Sequence, residues 1–417
     1  MFLSKLKSNQ SRNAPRSALV FDFGTSAVKI LLCDYFDDRV EVVGGTKVKF
    51  PKEVFGEEGT ITQIDPLEKL LDASIAALVN KAKRSRPALA LLGLSDLNAS
   101  GYTSKINYRR AHPERSITEA EFQNILRQVE MRANQIMQKM IRWQTGDGET
   151  AALVNSEVLD LKLDGYQIAS PVGSAGKNLV FTVYNAYTKE QTLKLLASLF
   201  RRLKFSLLSI SCSIYPAMRA LLDSFGDDLS AVVVDIGGEI TDVGVISKGR
   251  ILGHTAFGIA GSAFSKTIAE AMDLDIERAE MLKLAFAGGK LENNSMKDVR
   301  AIVGTDCKVF LSGVELVLKD FPGIRDLPSQ VVVFGGGSLL PGVISSFQTY
   351  EWKQFSPSSD QQLKVIHLQP QKLTGFKDLT TKLISPADVA PLAVALDGQD
   401  LVLEAKTGGG WRALLKR

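Results

Sequence analysis

The sequence predicts an α/β protein of two related lobes, and three observations carry that expectation. One acidic, glycine-containing phrase occurs twice, a third glycine-rich phrase follows the second occurrence, and strands alternate with helical segments throughout. The 417 residues exceed what a single core ordinarily holds, and 45% of them are apolar, which excludes a disordered chain.

The first phrase, 18–32, is an apolar run, Asp22, Phe23, Gly24, the small polar pair Thr25 and Ser26, and a second apolar run. The second phrase, 231–246, repeats this grammar with Asp235, Ile236, Gly237 and Gly238. Each reads as a β-hairpin with an acidic turn. Between them, Thr118 caps a helical pattern that runs from Ile117 to about Trp143, with Glu119 and Glu121 in its first turn. Residues 159–163 alternate strictly and end in an Asp164-Gly165 turn, which marks a strand. The phrase Pro171-Val172-Gly173-Ser174-Ala175-Gly176 precedes another strand, 178–184. A helix over 189–204, a strand over 206–211 and a strand from Leu229 follow. Helical periodicity covers 268–287 and 298–318, around a polar loop at 288–295. The third phrase is the β-rich run 331–334, then Gly335, Gly336, Gly337 and Ser338. A last helix, 385–396, is limited in regularity by Pro386 and Pro391.

Two such hairpins suit a nucleotide clamped between lobes. Their turns can aim backbone N–H groups at phosphate oxygens. Asp22 and Asp235 can hold the water shell of Mg²⁺, a cation that prefers carboxylates and retained waters. The plainer reading is an ordinary hairpin, where D-x-G is common. The third phrase lets backbone approach a flat ligand closely, or else simply links strand to helix. Glu280 and Lys283 share one helix face, as many solvated charge pairs do.

Other chemistries find little support. Cys33, Cys212 and Cys307 are scattered and odd in number, with neither metal spacing nor a disulfide framework, and read as reduced core residues of a cytosolic protein. His112, His254 and His367 form no hydrolase constellation. A net charge of +4 gives no argument for nucleic acid. No run of eighteen apolar residues or signal-peptide core is present. At the end, Trp411, Leu414 and Leu415 fall at i, i+3 and i+4 among Arg412, Lys416 and Arg417, the pattern of a helix lying in a membrane interface after a Gly408-Gly409-Gly410 linker. The plainer alternative is a frayed basic tail, because a two-turn helix barely forms in water. Phe2, Leu3 and Leu6, with Lys5 and Lys7, offer a second candidate anchor at the front.

In this order and spacing, the three phrases resemble the phosphate-1, phosphate-2 and adenosine motifs of the actin, chaperone and sugar-kinase superfamily. Within it, residues 93–183, with the 171–176 phrase, resemble the inserted module of the bacterial cell-division family FtsA. The resemblance implies an actin-like two-lobed ATPase fold with an inserted α+β, SHS2-like subdomain. It implies a basic segment 1–17, lobe 1 over 18–92 and 185–226, and the insert over 93–184. Lobe 2 takes 227–380, with a helical subdomain 271–329; a return helix takes 381–400, and linker and anchor take 401–417.

The same resemblance implies ATP with Mg²⁺, held by Asp22, Gly24, Thr25, Ser26, Lys29, Asp235, Gly237, Gly238, Thr241, Glu280, Lys283, Gly335, Gly336 and Gly337, with Asp22 and Asp235 on the metal through water. Turnover is expected to be slow, since 211–219 holds no Gln or Glu to position a water. Implied partners are the C-terminal peptide of FtsZ through lobe 2, further copies in filaments, other division proteins through the insert, and lipids of the cytoplasmic membrane face at the division site. The alternatives are a pilus-assembly platform like PilM, or an actin-fold kinase with Asp242 as base.

Overall fold

The computed structural model describes residues 15–50, 54, 63–97, 99–145, 151–291, 293–319, 321, 324, 327–352 and 363–405. Both candidate membrane segments, 1–7 and 408–417, lie outside these residues. Among the described residues, no helix is long and apolar enough to cross a membrane.

Lobe 1 is built on β1 (Arg16–Phe23), β2 (Ala27–Tyr35), β3 (Val40–Lys49) and β4 (Leu89–Leu94), with α1 (Ile64–Lys81) between β3 and β4. The module follows as β5 (Ser100–Arg109), α2 (Glu119–Thr145), β6 (Ala151–Leu163), β7 (Tyr166–Gln167) and β8 (Asn178–Lys189). The chain re-enters lobe 1 through α3 (Glu190–Arg202), β9 (Ser206–Cys212) and α4 (Ile214–Phe225). Lobe 2 contains β10 (Ala231–Ile236), β11 (Thr241–Ser247), β12 (Arg250–Phe257), α5 (Gly261–Met272), α6 (Ile276–Ala287), α7 (Asn293–Lys319), β13 (Gln330–Phe334), α8 (Val343–Thr349) and β14 (Lys364–His367). Finally β15 (Phe376–Asp378), α9 (Val389–Asp397) and α10 (Gln399–Glu404) return to lobe 1.

Two sheets result, in the orders β15-β3-β2-β1-β4-β9 and β14-β13-β10-β11-β12-β5-β8-β6-β7. Helices α4 and α9 lie in one apolar cluster with inward residues of both sheets, among them Val20 and Leu31 from lobe 1 and Val233 and Phe334 from lobe 2. Every residue of α9 from Val389 to Ala395 is buried, as an all-apolar helix requires. Pro391 is tolerated because it falls in the first turn, where its missing N–H has no intrahelical partner to lose. The capping box of Ser385 and Asp388 starts this segment.

The periodicity over 268–287 predicts one helix, and the structure corrects this to two. Asp273 takes a left-handed conformation, φ 52°, that ends α5, and the Asp275 carboxylate accepts from the Arg278 N–H at 2.8 Å to cap α6. The loop expected over 288–295 is likewise shorter, because α7 begins at Asn293.

In the module, α2 lays Phe122, Ile125, Val129 and Ala133 against Ile106, Leu161, Phe181 and Val183 of the sheet. Thr118 caps it, its hydroxyl accepting from the Glu121 N–H at 3.2 Å. The 171–176 phrase folds back on the helix start, where the Ile117 and Ser174 backbones meet and buried Arg110 donates to the Gly176 carbonyl and to Glu121.

The module also joins lobe 2. β5 pairs with β12 at Gly253↔Tyr102 and His254↔Gly101, so one sheet runs from lobe 2 through the insert. Beneath that seam Tyr184 stacks on Tyr215 with centroids 4.0 Å apart, and its hydroxyl meets His254 Nδ1 at 2.8 Å. Tyr215 donates to Glu157, which also accepts from Arg219 at 2.7 Å.

Burial lowers the pKa of His254, which is fully enclosed, to about 3. In the unfolded chain an imidazole takes up a proton near pH 6.5. Stability from this group is therefore complete above that value and lost as pH falls toward 3. The unfolding free energy should drop by up to about 1.4 kcal/mol per pH unit across the window. His254→Leu should flatten that part of the profile, measured by denaturant melts between pH 4 and 8.

Candidate functional site in the cleft between the lobes

The two repeated phrases form hairpins that are geometrically equivalent. In lobe 1, Gly24 N–H donates to the Ala27 carbonyl at 3.1 Å, and Asp22 stands opposite Lys29. In lobe 2, Gly237 N–H donates to the Ile240 carbonyl at 2.9 Å, and Asp235 stands opposite Asp242. The turns meet tip to tip. The Thr25 hydroxyl accepts from the Glu239 N–H at 3.0 Å, and a Cβ on Gly238 would lie 3.0 Å from Ser26 Oγ. The Glu239 side chain is exposed.

Charge differs between the hairpins. Lys29 pairs with Asp22 at 3.5 Å and also donates to the Ala387 carbonyl, while Ser213 Oγ donates to the second Asp22 oxygen at 2.8 Å. In lobe 2 two buried carboxylates face each other. Burial, tempered by Lys29 and reinforced by Asp22, raises the pKa of Asp235 to about 7. Burial and then Asp235 push Asp242 well above the usual carboxylate range, although Ser95 Oγ donates to it at 2.9 Å across the cleft. A divalent cation suits such a donor set, because it offsets the repulsion that burial magnifies. Mg²⁺ needs only one or two carboxylates with retained waters.

Lobe 2 supports its turn from behind. The N–H groups of Gly261 and Ser262, opening α5, donate to the carbonyls of Gly237 and Gly238 at 3.2 and 2.6 Å. Lys283 donates to the Gly261 carbonyl at 2.7 Å and pairs with Glu280 at 2.7 Å. Burial works against the charge on Glu280, but Lys283 and the Ser265 hydroxyl more than offset it and leave its pKa low. Thr241 is buried and donates to the Ile259 carbonyl at 2.8 Å.

The glycine loop closes the ring. Gly335 has φ 87°, and a Cβ there would fall 2.1 Å from Asp235 Oδ1; Gly337 lies against Ile236, but Gly336 faces open space. The short 3₁₀ turn Gly336–Leu339 replaces a direct helix start, and α8 begins only at Val343. The structure thus brings Asp22, Thr25, Ser26, Lys29, Asp235, Gly238 and Gly335 together, with Glu280 and Lys283 behind the second turn.

Sequence reading missed Ser95 and Ser213, for which no local signal exists. Asp242 was readable as more than a conceivable base, since Asp235 and Asp242 are equidistant from the turn. Tyr215, in the segment where a water-positioning residue was sought, points away from the cleft into the module seam.

A family model described as cell division protein FtsA matches residues 232–387. The FtsA of Neisseria meningitidis serogroup B is 21% identical over 431 aligned residues, covering 95% of this chain and 96% of the relative. The FtsA of Streptococcus pneumoniae serotype 2 is 22% identical over 346 residues, covering 78% and 72%. The chain is thus similar in sequence to FtsA proteins along most of its length. A solved chain of the PilM-PilN type IV pilus biogenesis complex matches with TM-score 0.62 and 16% identity over 92% of this chain and 98% of its own, a likeness of fold alone. The fold is the two-lobed, actin-like one with an inserted α+β subdomain, as the resemblance implied.

Gly335→Ala should cost about 3 kcal/mol or more, through left-handed strain and displacement of Asp235. Gly336→Ala should leave stability within about 1 kcal/mol. Parallel denaturant titrations of the two variants check the contrast.

Proposed function

We propose that this chain is an ATP-binding, actin-like cell-division protein that polymerises on the cytoplasmic face of the membrane at the division site and tethers FtsZ. The observation that carries the reading is the meeting of two equivalent acidic hairpins beside a glycine loop whose middle residue opens into space. ATP with Mg²⁺ would lie between Gly24, Thr25, Ser26 and Lys29 on one side and Gly237, Gly238 and Thr241 on the other. Gly335, Gly336 and Gly337 would run under the adenine, Glu280 and Lys283 at its edge, and Asp22 and Asp235 on the metal through water. The FtsZ peptide would dock on lobe 2 and other division proteins on the insert.

Turnover would be slow, because 211–219 holds no Gln or Glu to position a water, and its Ser213 hydroxyl donates to Asp22 instead. A chain of a pilus-biogenesis complex shares this fold, and the similarity to FtsA over the second lobe favours the division reading.

Membrane attachment follows from the tail. Trp411, Leu414 and Leu415 would contribute roughly 1.5 to 3 kcal/mol each on burial, and Arg412, Lys416 and Arg417 about 1 each over anionic lipid. Ordering and immobilisation oppose that gain, so one copy binds weakly and a filament binds by avidity.

Co-sedimentation with anionic liposomes, with and without ATP, tests the whole reading. The full chain should sediment with ATP, and Trp411→Glu should stay in solution while calorimetry shows unchanged ATP affinity. Gly336→Trp should lose ATP and sedimentation together. Sedimentation of Trp411→Glu that disappears on removal of residues 1–7 would move the anchor to the front of the chain.

A further inference from the structure

β3 brings two more cations to the lobe 1 turn. Lys47 stands opposite Lys29, and Lys49 opposite Ala27, in the β2–β3 register. Directly opposed residues of an antiparallel pair share a face, as do residues two apart on one strand. Asp22, Lys29 and Lys47 therefore form one row across β1, β2 and β3, with Lys49 beside it. The end of β3 is tied to the turn itself, because the Phe50 N–H donates to the Ser26 carbonyl at 3.3 Å.

Charges on both lobes reach these amines. Partial desolvation beside the cleft, then Lys29 and Lys49, hold the Lys47 pKa below the ordinary lysine range, against the pull of Asp388 and Glu280. Glu280, on α6 of lobe 2, also feels Lys49. Both lysines thus lie within electrostatic reach of Glu280 on lobe 2, and both are exposed. Lys29 is already engaged by Asp22 and the Ala387 carbonyl. Three ammonium groups gathered on one sheet end repel one another, and a polyanion entering the cleft would relieve that repulsion.

We propose that Lys47 and Lys49 extend the phosphate site, contacting the distal phosphates of a nucleoside triphosphate and setting its preference over the diphosphate. The inference rests on the nucleotide reading above and adds residues that the repeated phrases do not contain. Lysine suits the task, since a compact charge on a flexible stem can follow a phosphate chain without a fixed bidentate geometry. The diphosphate, held mainly by the turns and Lys29, would gain little from either residue.

The test titrates Mg·ATP, Mg·ADP and inorganic tripolyphosphate into the full chain by calorimetry. The Lys47→Gln/Lys49→Gln double variant should lose about tenfold in affinity for ATP and tripolyphosphate and about twofold for ADP. The Lys47→Arg/Lys49→Arg variant should restore ATP binding, and thermal melts of all three proteins should coincide because both side chains are exposed. Unchanged ATP affinity, or an equal loss for ATP and ADP, overturns the inference and leaves the nucleotide reading standing. A wild-type chain that binds neither nucleotide overturns both.

Discussion

The packing of α4 against α9 between the two sheets is the constraint on which the rest depends. These helices share one apolar cluster with β1, β2, β10 and β13, so each sheet buries its inner face only while both helices are in place. α9 arrives from the far end of the chain, after lobe 2 is complete. The lobes therefore cannot be separated into independent folding units without exposing Leu392, Val394 and their partners. The same arrangement sets the cleft, since the 3₁₀ turn Pro386–Asp388 that leads into α9 offers one carbonyl to Lys29 and another to the Gly335 N–H.

Given that frame, electrostatics distinguishes the two hairpins that geometry makes alike. Opposite Asp22 stands a lysine, and the pair is internally compensated. Opposite Asp235 stands a second acid, and burial lifts both carboxylates out of their ordinary range. Lobe 2 thus carries an uncompensated demand for positive charge at the point where it meets lobe 1. Lys29 partly answers it across the gap.

The insert is less peripheral than its place in the chain implies. Its β5 extends the lobe 2 sheet, while Tyr184 and Glu157 engage Tyr215 and Arg219 of α4. A displacement of one lobe relative to the other must therefore work against the insert, either at the two-residue β5–β12 pairing or at the tyrosine stack.

What the sequence by itself determined were the local features. Hairpins with Asp, Gly and small polar residues at fixed offsets, the capped helix after Thr118 and the glycine loop after 331–334 all follow from contacts between residues close in the chain. The break at Asp273 was hidden because apolar periodicity on either side of it is continuous, while a left-handed residue costs an aspartate little. Tertiary structure alone decided that the two turns touch, that Ser213 faces Asp22, that Tyr215 turns to the insert, and that β5 pairs with β12. Those contacts join residues as much as 214 positions apart, as Thr25 and Glu239 are. No local spacing encodes them; they are set when two sheets close on a shared helix layer and the burial of that layer fixes their register.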